Sequence, residues 1–303
     1  MFRVPNFEVI EFTDPVCTWC WGSEPVLKKL EARFPKKIKI SYVTGGLIED
    51  IRNYRDDANG IVGNIEEANK NIAKQWVEAS KEHKMPVCIE GFKLFSEDHH
   101  STYPANIAYH AAKMQSEKLA NKYLRRIREA AATEALQVTN PKILIELASE
   151  IGLKVGEFIE AMEDGTAERH FQDDLLFTRI NRVYGFPSFL IRNNYNGKSI
   201  VLRGYQDYNS IKEVLQFLCD EDLQELKIDK SPENVISHLQ EVVKTTPIEL
   251  QMIFDFTDEE LEDTLTTLQT KGYITLEEVG TGSFIYYLGK PLVCDPVTGV
   301  CSY

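Results

Sequence analysis

Two cysteines three positions apart, between a strand-like and a helix-like segment, constrain this chain more than any other feature. Cys17 and Cys20 follow a run of β-branched and aromatic residues at 7–12, and residues 23–34 repeat apolar side chains at helical spacing. A cysteine at a helix start meets unpaired backbone N–H groups and the positive end of the helix dipole, which stabilise a thiolate. We therefore predict that Cys17 attacks disulfides as the nucleophile and that Cys20 resolves the mixed disulfide.

Zinc binding is the main alternative interpretation of this cysteine pair. A structural zinc ion takes four ligands, yet no second Cys-x-x-Cys motif lies near residue 17. The scattered residues that remain as candidate ligands are Cys88, His83, His99 and His100. The strand–cysteine–helix context favours redox chemistry, so we predict no metal and no other cofactor.

Hydrophobic periodicity places a long helical block inside an α/β unit. Further strands are predicted at 38–43, 188–191 and 199–202, and a closing helix at 208–219. Between them, the alanine-rich stretch at about 64–182 has almost wholly helical character. It is too long for one crossover helix, so we predict a helical subdomain inserted into the α/β unit.

The sequence pattern of the last part of the chain predicts three helices followed by a hairpin, an order that resembles a winged helix. Winged helices often bind DNA, but residues 230–303 hold four lysines, no arginine and twelve acidic residues, a net charge of −8. DNA binding relies on cations that neutralise phosphates. We therefore predict a protein-contact role for this module, with a homodimer through it as one candidate.

The net charge and the N-terminal residues indicate which partners and which cell compartment to expect. A net charge of −13 repels nucleic acid and anionic membranes. The sequence has no apolar run of the roughly eighteen residues that a transmembrane helix needs, and its start lacks the pattern of a signal peptide. We expect a cytoplasmic protein without nucleic-acid or membrane partners.

Two residues away from the cysteine pair complete the predicted site. Pro187 opens a strand-like run, where a residue that cannot donate to a sheet ladder is tolerated. Glu11 ends the first strand, six residues before Cys17. If buried beneath the cysteines, it would have a raised pKa and would accept the proton of Cys20. An ordinary trans proline and an exposed glutamate are the alternatives.

The order of the site features along the chain resembles that of the DsbA family of thioredoxin-fold thiol–disulfide oxidoreductases. These features are Glu11, the cysteine pair, the helical block and Gly185-Phe186-Pro187. Residues 14–22 are similar to those of cytoplasmic members described as predicted disulfide isomerases. The resemblance covers roughly residues 6–220. It implies that the Phe186–Pro187 bond is cis, that Pro187 docks substrate, and that the backbone of Phe186 pairs with an extended substrate chain.

The residues between the cysteines depart from the strongly oxidising members of that family. Those members have a histidine that stabilises the thiolate, whereas this chain has Thr18 and Trp19, flanked by Asp14 and Glu24. We predict a milder reduction potential, nearer the reducing end of the roughly −270 to −120 mV range of such proteins. Trp19 is predicted to be exposed as an apolar platform for substrate, and Trp21 to be buried.

Two further cysteines, Cys294 and Cys301, flank a short segment with proline and glycine. Such residues favour a turn, which would bring the two thiols together. We predict an accessory redox pair that exchanges disulfide with Cys17 and Cys20, within one chain or across a dimer. Two unrelated tail thiols are the alternative, because terminal segments are usually mobile.

The complete prediction is an α/β thioredoxin fold with an inserted helical subdomain, followed by a small α+β domain. The predicted ranges are 1–220 for the DsbA-like domain, about 64–182 for its insertion, 221–232 for a linker, 233–290 for the winged-helix-like domain and 291–303 for the tail.

Three functions are compatible with these features. The first is a thiol–disulfide oxidoreductase that acts on protein or small-thiol substrates. The second is an adaptor, because some cytoplasmic DsbA-like proteins deliver a regulator to a protease and use their cysteines as sensors. The third is a glutathione-dependent isomerase, although members of that class typically have serine at the position of Cys17. Glutathione also stays a candidate reductant of the pair.

Overall fold

The computed structural model describes residues 6–219, 223–289, 293–294 and 301–302, the last two pairs by their backbone alone. The strands are β1 (Phe7–Thr13), β2 (Ile38–Thr44), β3 (Arg55–Asp56), β4 (Ile61–Val62), β5 (Ser188–Asn193), β6 (Ser199–Arg203), β7 (Lys244–Thr245), β8 (Ile274–Val279), β9 (Gly282–Tyr287), β10 (Val293–Cys294) and β11 (Cys301–Ser302). The helices are α1 (Thr18–Arg33), α2 (Ile65–His83), α3 (Tyr103–Gln115), α4 (Glu117–Thr133), α5 (Pro141–Glu150), α6 (Val155–Glu163), α7 (Thr166–Ile180), α8 (Tyr208–Leu218), α9 (Pro232–Val242), α10 (Pro247–Phe254) and α11 (Asp258–Thr270).

A four-stranded sheet in the order β2-β1-β5-β6 carries the cysteine-bearing turn at one end of β1. β1 runs parallel to β2 and antiparallel to β5, and β6 pairs antiparallel with β5. α1 is the crossover that the parallel pair requires. Because α2 to α7 all lie between β2 and β5 in the chain, the predicted α/β fold with a helical insertion is confirmed.

Alternation along β1 sends successive side chains to opposite faces of the sheet. Val9 packs toward α1 and α8, where it meets Leu27 and Leu215. Phe12 points to the other face and stacks on Phe177 of α7, with ring centroids 5.7 Å apart. The sheet is therefore covered on both sides, and the turn after β1 is held between α1 and the helical insertion.

An irregular segment at 84–102 interrupts the helical block. Lys84 ends α2 with a positive φ of 59°. Farther along, Asn69 Oδ1 accepts hydrogen bonds from the backbone N–H groups of Leu94 and Phe95 at 3.0 and 2.9 Å. The prediction of an almost wholly helical stretch is wrong here, because these N–H groups bond a side chain instead of a carbonyl one turn back.

The C-terminal module combines α9, α10 and α11 with a three-stranded sheet in the order β7-β9-β8. It has its own apolar core, in which Leu239, Leu250 and Ile285 are fully buried. Strand β7 is absent from the sequence prediction because two residues are too few to show alternation. Within the described part of the chain, every helix is too short or too polar for a bilayer span.

Buried charges and backbone bonds hold this module against the rest of the protein. Glu249 of α10 is completely buried and pairs with Lys28 at 2.7 Å and with Arg125 at 2.6 Å. Burial alone would raise the pKa of Glu249, but the two cations outweigh it and lower that pKa. Thr281, in the β8–β9 turn, donates its backbone N–H to the carbonyl of Val87 at 2.9 Å. The module is thus docked at several independent points.

Candidate functional site

Cys17 occupies the N-cap of α1. Its Sγ accepts a hydrogen bond from the backbone N–H of Cys20 at 3.3 Å, so the sulfur lies where a helix stabilises negative charge. Cys17 keeps 6% of its surface exposed and Cys20 none, and both thiols are free. Burial, followed by the hydrogen bond with Cys17, raises the pKa of Cys20 well above its ordinary value. The pair therefore combines one reachable sulfur with one buried, protonated thiol.

The loop before β5 lies against Cys17. Its Phe186–Pro187 peptide bond is cis, which confirms that expectation, and the Phe186 carbonyl oxygen lies 3.6 Å from Cys17 Sγ. The Phe186 ring packs onto Gly45 so closely that a Cβ at position 45 would lie 2.1 Å from the ring Cζ. Glycine at position 45 is thus what allows this loop to approach the cysteine pair.

The two tryptophans beside the cysteines have different surroundings. Trp21 is buried, as predicted, and donates its Nε1–H to the carbonyl of Pro86 at 3.0 Å. Trp19 is half-buried and not exposed as predicted, because its ring packs between those of His83 and Tyr205, with centroids 5.9 and 5.4 Å away. Trp19 therefore belongs to a cluster of three rings beside Cys17, and its contact with substrate stays a prediction.

His83 is a titratable neighbour of the site that the sequence suggested only as a scattered zinc ligand. Its Nδ1 accepts from the backbone N–H of Met85 at 3.1 Å, and its Nε2 lies 3.4 Å from Thr18 Oγ1. Burial lowers the pKa of His83 to about 4. The imidazole beside the motif is therefore neutral at pH 7 and adds no positive charge near the sulfur.

Glu11 is completely buried beneath the motif. Its Oε2 accepts from Arg128 Nη2 at 2.9 Å, and Arg128 also donates to Thr13 Oγ1 at 2.5 Å and pairs with Glu24. Burial raises the pKa of Glu11 to about 7, although Arg128 opposes the rise. Among the described residues, Glu11 Oε1 has no hydrogen-bond partner. Glu11 can therefore exchange a proton close to neutral pH.

A chain of ion pairs, Glu11–Arg128–Glu24–Arg125–Glu249, runs from β1 to the C-terminal module. We call it the ion-pair chain. Arg128 bridges Glu11 and Glu24, and Arg125 lies 3.5 Å from Glu24 and 2.6 Å from Glu249. Sequence reasoning missed both arginines because the partners are 104 residues apart for Arg128 and Glu24, and 124 for Arg125 and Glu249.

Asp14 organises the turn before the cysteines. Its Oδ1 accepts from the backbone N–H of Val16 at 3.0 Å. Its Oδ2 accepts from the backbone N–H of Leu47 at 2.6 Å, from Thr102 Oγ1 at 3.0 Å and from Asn106 Nδ2 at 2.9 Å. The carboxylate thus ties the turn to the helical insertion, a structural role beyond the flanking negative charge noted in the sequence.

A family model described as Thioredoxin matches residues 11–213. The chain belongs to the thioredoxin family. Two solved structures with the same fold are a putative protein disulfide isomerase from Nitrosomonas europaea, 17% identical with a TM-score of 0.58, and the cytosolic disulfide reductase DsbM from Pseudomonas aeruginosa, 19% identical with a TM-score of 0.50. The match to the isomerase structure covers 70% of this chain and 97% of that protein. The match to DsbM covers 70% of this chain and 100% of that protein. The DsbA-like resemblance is confirmed at the level of the fold.

Some sequence relatives of this thioredoxin-family chain match more of its length than these two solved structures do. A ClpXP adapter protein SpxH from Halalkalibacterium halodurans is 27% identical over 283 residues, which cover 93% of this chain and 89% of the relative. The protein of the same name from Bacillus subtilis is 23% identical over 283 residues, 91% and 88% of the two chains. These alignments reach beyond the thioredoxin-like part and into the C-terminal module.

The remaining predicted site features of this thioredoxin-family protein concern metal and the second cysteine pair. Among the described residues, no three metal-ligating side chains converge. The backbones of β10 and β11 pair antiparallel with Cys294 opposite Cys301. The side chains of these two cysteines lie outside the described residues, so the accessory redox pair stays a prediction.

Proposed function

We propose that this protein is an adapter that delivers a client protein to the ClpXP protease. The observation that carries the proposal is the extent of the similarity. Relatives named ClpXP adapter protein SpxH match 93% of this chain and include the C-terminal module, whereas the disulfide isomerase structure covers 70% of it. A shared module beyond the redox fold fits a protein that must contact two partners. A cytoplasmic location is part of the same proposal, since an adapter must share a compartment with its protease.

The docking of the C-terminal module supports this proposal. A delivery protein has to hold its contact surfaces in a fixed relation, and Glu249 with its two cations fixes α10 against α1 and α4. We propose that residues 233–290 form a winged-helix-like protein-contact domain. Contact with a second copy of the chain through this domain stays one of its candidate uses.

An experiment with a proteolytically inactive ClpP tests the adapter proposal. ClpXP with this trapping ClpP is purified from source cells that contain the full chain and from cells that lack its gene, and the retained proteins are quantified. We expect at least one protein to be retained only when the chain is present. Equal retention of every protein in the two strains contradicts the proposal.

Thiol–disulfide exchange is the second candidate function, favoured by Cys17 Sγ at a helix start and 3.6 Å from the Phe186 carbonyl. The Cys17 thiolate attacks a substrate disulfide, a mixed disulfide forms, and one substrate thiolate leaves. Cys20, after giving its proton to Glu11, then attacks Cys17 Sγ and releases the second substrate thiolate. The substrate is reduced and the pair is oxidised, so a thiol reductant such as glutathione must restore the pair.

The neutral state of His83 supports a mild reduction potential, because an uncharged imidazole does not stabilise the Cys17 thiolate.

Insulin reduction with a thiol donor tests the exchange reaction, with Cys17→Ser as the control. We expect turnover by the wild type that the substitution abolishes. Activity that persists in Cys17→Ser contradicts this assignment.

A further inference from the structure

Helix α7 carries apolar side chains on the face that points away from the protein. Phe171, Leu175 and Thr178 are buried against the sheet and α3. On the opposite side Leu176 is 56% and Ile180 is 68% exposed. A helix that only packs on a sheet has polar residues on its outer face, so this stripe has no explanation in the fold itself.

A further exposed apolar side chain lies between the end of α7 and the cysteine site. Tyr184 follows α7 and is 88% exposed. It lies two residues before Phe186, whose carbonyl oxygen is 3.6 Å from Cys17 Sγ. The exposed side chains of α7 and Tyr184 therefore lie on the stretch of chain that leads directly into the rim of the cysteine site.

Three arginines border this stripe. Arg179, Arg182 and Arg203 are exposed, and none of them has an ion-pair partner in the described part of the chain. The Nε–H of Arg203 donates to the backbone carbonyl of Arg182 at 3.4 Å, which places β6 beside the end of α7. Of the nearby acids, Asp207 caps α8 through the N–H of Ser210, and Asp173 is exposed three residues before Leu176, at the far end of the stripe. The excess of cations therefore lies at the end of the stripe nearest the cysteine site, in a protein with a net charge of −13.

We propose that Leu176, Arg179, Ile180, Arg182, Tyr184 and Arg203 form a docking face for an acidic, apolar segment of the client protein, a proposal that rests on the adapter function. The exposed side chains of the stripe supply the apolar contact. The unpaired arginines select carboxylates and repel basic segments. Because this stretch of chain leads into the Phe186 loop, whose carbonyl oxygen is 3.6 Å from Cys17 Sγ, a client bound on the face would lie near Cys17.

The probe is a fluorescein-labelled 16-residue helical peptide with leucines on one side and glutamates beside them. A matched peptide has lysine at every glutamate position. Fluorescence anisotropy is measured with the full chain and with two double variants, Arg179→Glu/Arg182→Glu and Leu176→Ser/Ile180→Ser. Lys142→Glu, at an exposed position of α5, and Phe217→Ser, 76% exposed on α8, are the controls.

We expect the acidic peptide to bind the wild type, and each double variant to weaken binding at least tenfold while the controls stay within twofold. The lysine peptide should bind the Arg179→Glu/Arg182→Glu variant better than the wild type. Equal binding of both peptides to the wild type, no binding of either, or unchanged binding by the double variants overturns the proposal. Circular dichroism verifies that all variants are folded.

Other occupants of the face are separate outcomes. If the wild type forms dimers and the Leu176→Ser/Ile180→Ser variant does not, the face binds a second copy of the chain. If the wild type sediments with anionic vesicles and the Arg179→Glu/Arg182→Glu variant does not, the face binds a membrane. Either result overturns the proposal. The ClpP trap distinguishes this proposal from the adapter function. If the adapter function is wrong, no protein needs the chain in order to be retained by the inactive ClpP, even though the acidic peptide still binds the chain. If only the docking face is wrong, cells with either double variant retain the same proteins as cells with the wild type.

Discussion

Arg128 Nη2 lies 2.9 Å from Glu11 Oε2, and neither side chain has any exposed surface. The arginine comes from α4 of the helical insertion and the glutamate from β1 of the sheet. Both charges act on the buried thiol of Cys20, where Glu11 raises its pKa and Arg128 opposes the rise. The insertion thus contributes directly to the electrostatics of the cysteine pair.

Removal of the Arg128 guanidinium should strongly destabilise the protein. Arg128→Met leaves Glu11 and Glu24 as buried carboxylates without their shared cation, at a cost of about 3–5 kcal/mol. Urea unfolding measures the change in the free energy of unfolding. Arg126→Met is the matched control, since Arg126 pairs with the partly exposed Glu134 and Glu150, and it should cost about 1 kcal/mol or less. Equal losses in the two variants would contradict the importance of the buried pair.

Glu11 should make the protein less stable as the pH rises towards neutrality. Its pKa is about 7 in the folded state and about 4.3 in the unfolded state, so the folded protein binds more protons between these values. The free energy of unfolding therefore falls through this window, by up to about 4 kcal/mol at about 1.4 kcal/mol per pKa unit. Glu11→Gln should remove this part of the slope between pH 4.5 and 8. Parallel stability–pH curves for the two proteins would refute the raised pKa.

Loss of the Glu249 charge should release the C-terminal module. Glu249→Gln removes the shared carboxylate of Lys28 and Arg125, but Arg125 keeps Glu24 and Glu129 as partners and Lys28 is partly exposed. We therefore expect a loss of about 1–3 kcal/mol of docking free energy. Limited proteolysis should then cut the segment between α8 and α9 at least tenfold faster. Glu278→Gln, at an exposed position of β8, should leave the cleavage rate unchanged. Unchanged cleavage in Glu249→Gln would mean that other contacts suffice.

A side chain at position 45 should displace the loop that contains Pro187. In Gly45→Ala the new Cβ would overlap the Phe186 ring, and overpacking of this kind costs about 1–3 kcal/mol. We expect insulin reduction to slow about tenfold. The double variant Gly45→Ala/Phe186→Ala should recover part of the rate, and Gly156→Ala, with open space around its Cβ, should have no effect. A wild-type rate in Gly45→Ala would show that the loop position does not matter.

Local sequence patterns were enough to predict the central features of the site. The β1–α1 turn follows from strand alternation, helical spacing and the cysteine motif, and the resemblance to DsbA proteins anticipated the cis bond before Pro187. The ion-pair chain was out of reach, because Arg128 and Glu11 are 117 residues apart and each alone looks like an ordinary charged residue. The neutral state of His83 likewise depends on its burial, which only the folded arrangement determines.

The degradation rate of a trapped client by purified, active ClpXP tests the adapter assignment most directly. The client retained by inactive ClpP is incubated with active ClpXP and ATP, with and without the full chain. We expect at least tenfold faster degradation when the chain is present, and a return to the basal rate in the Arg179→Glu/Arg182→Glu variant. An identical rate with and without the wild-type chain would contradict the adapter function.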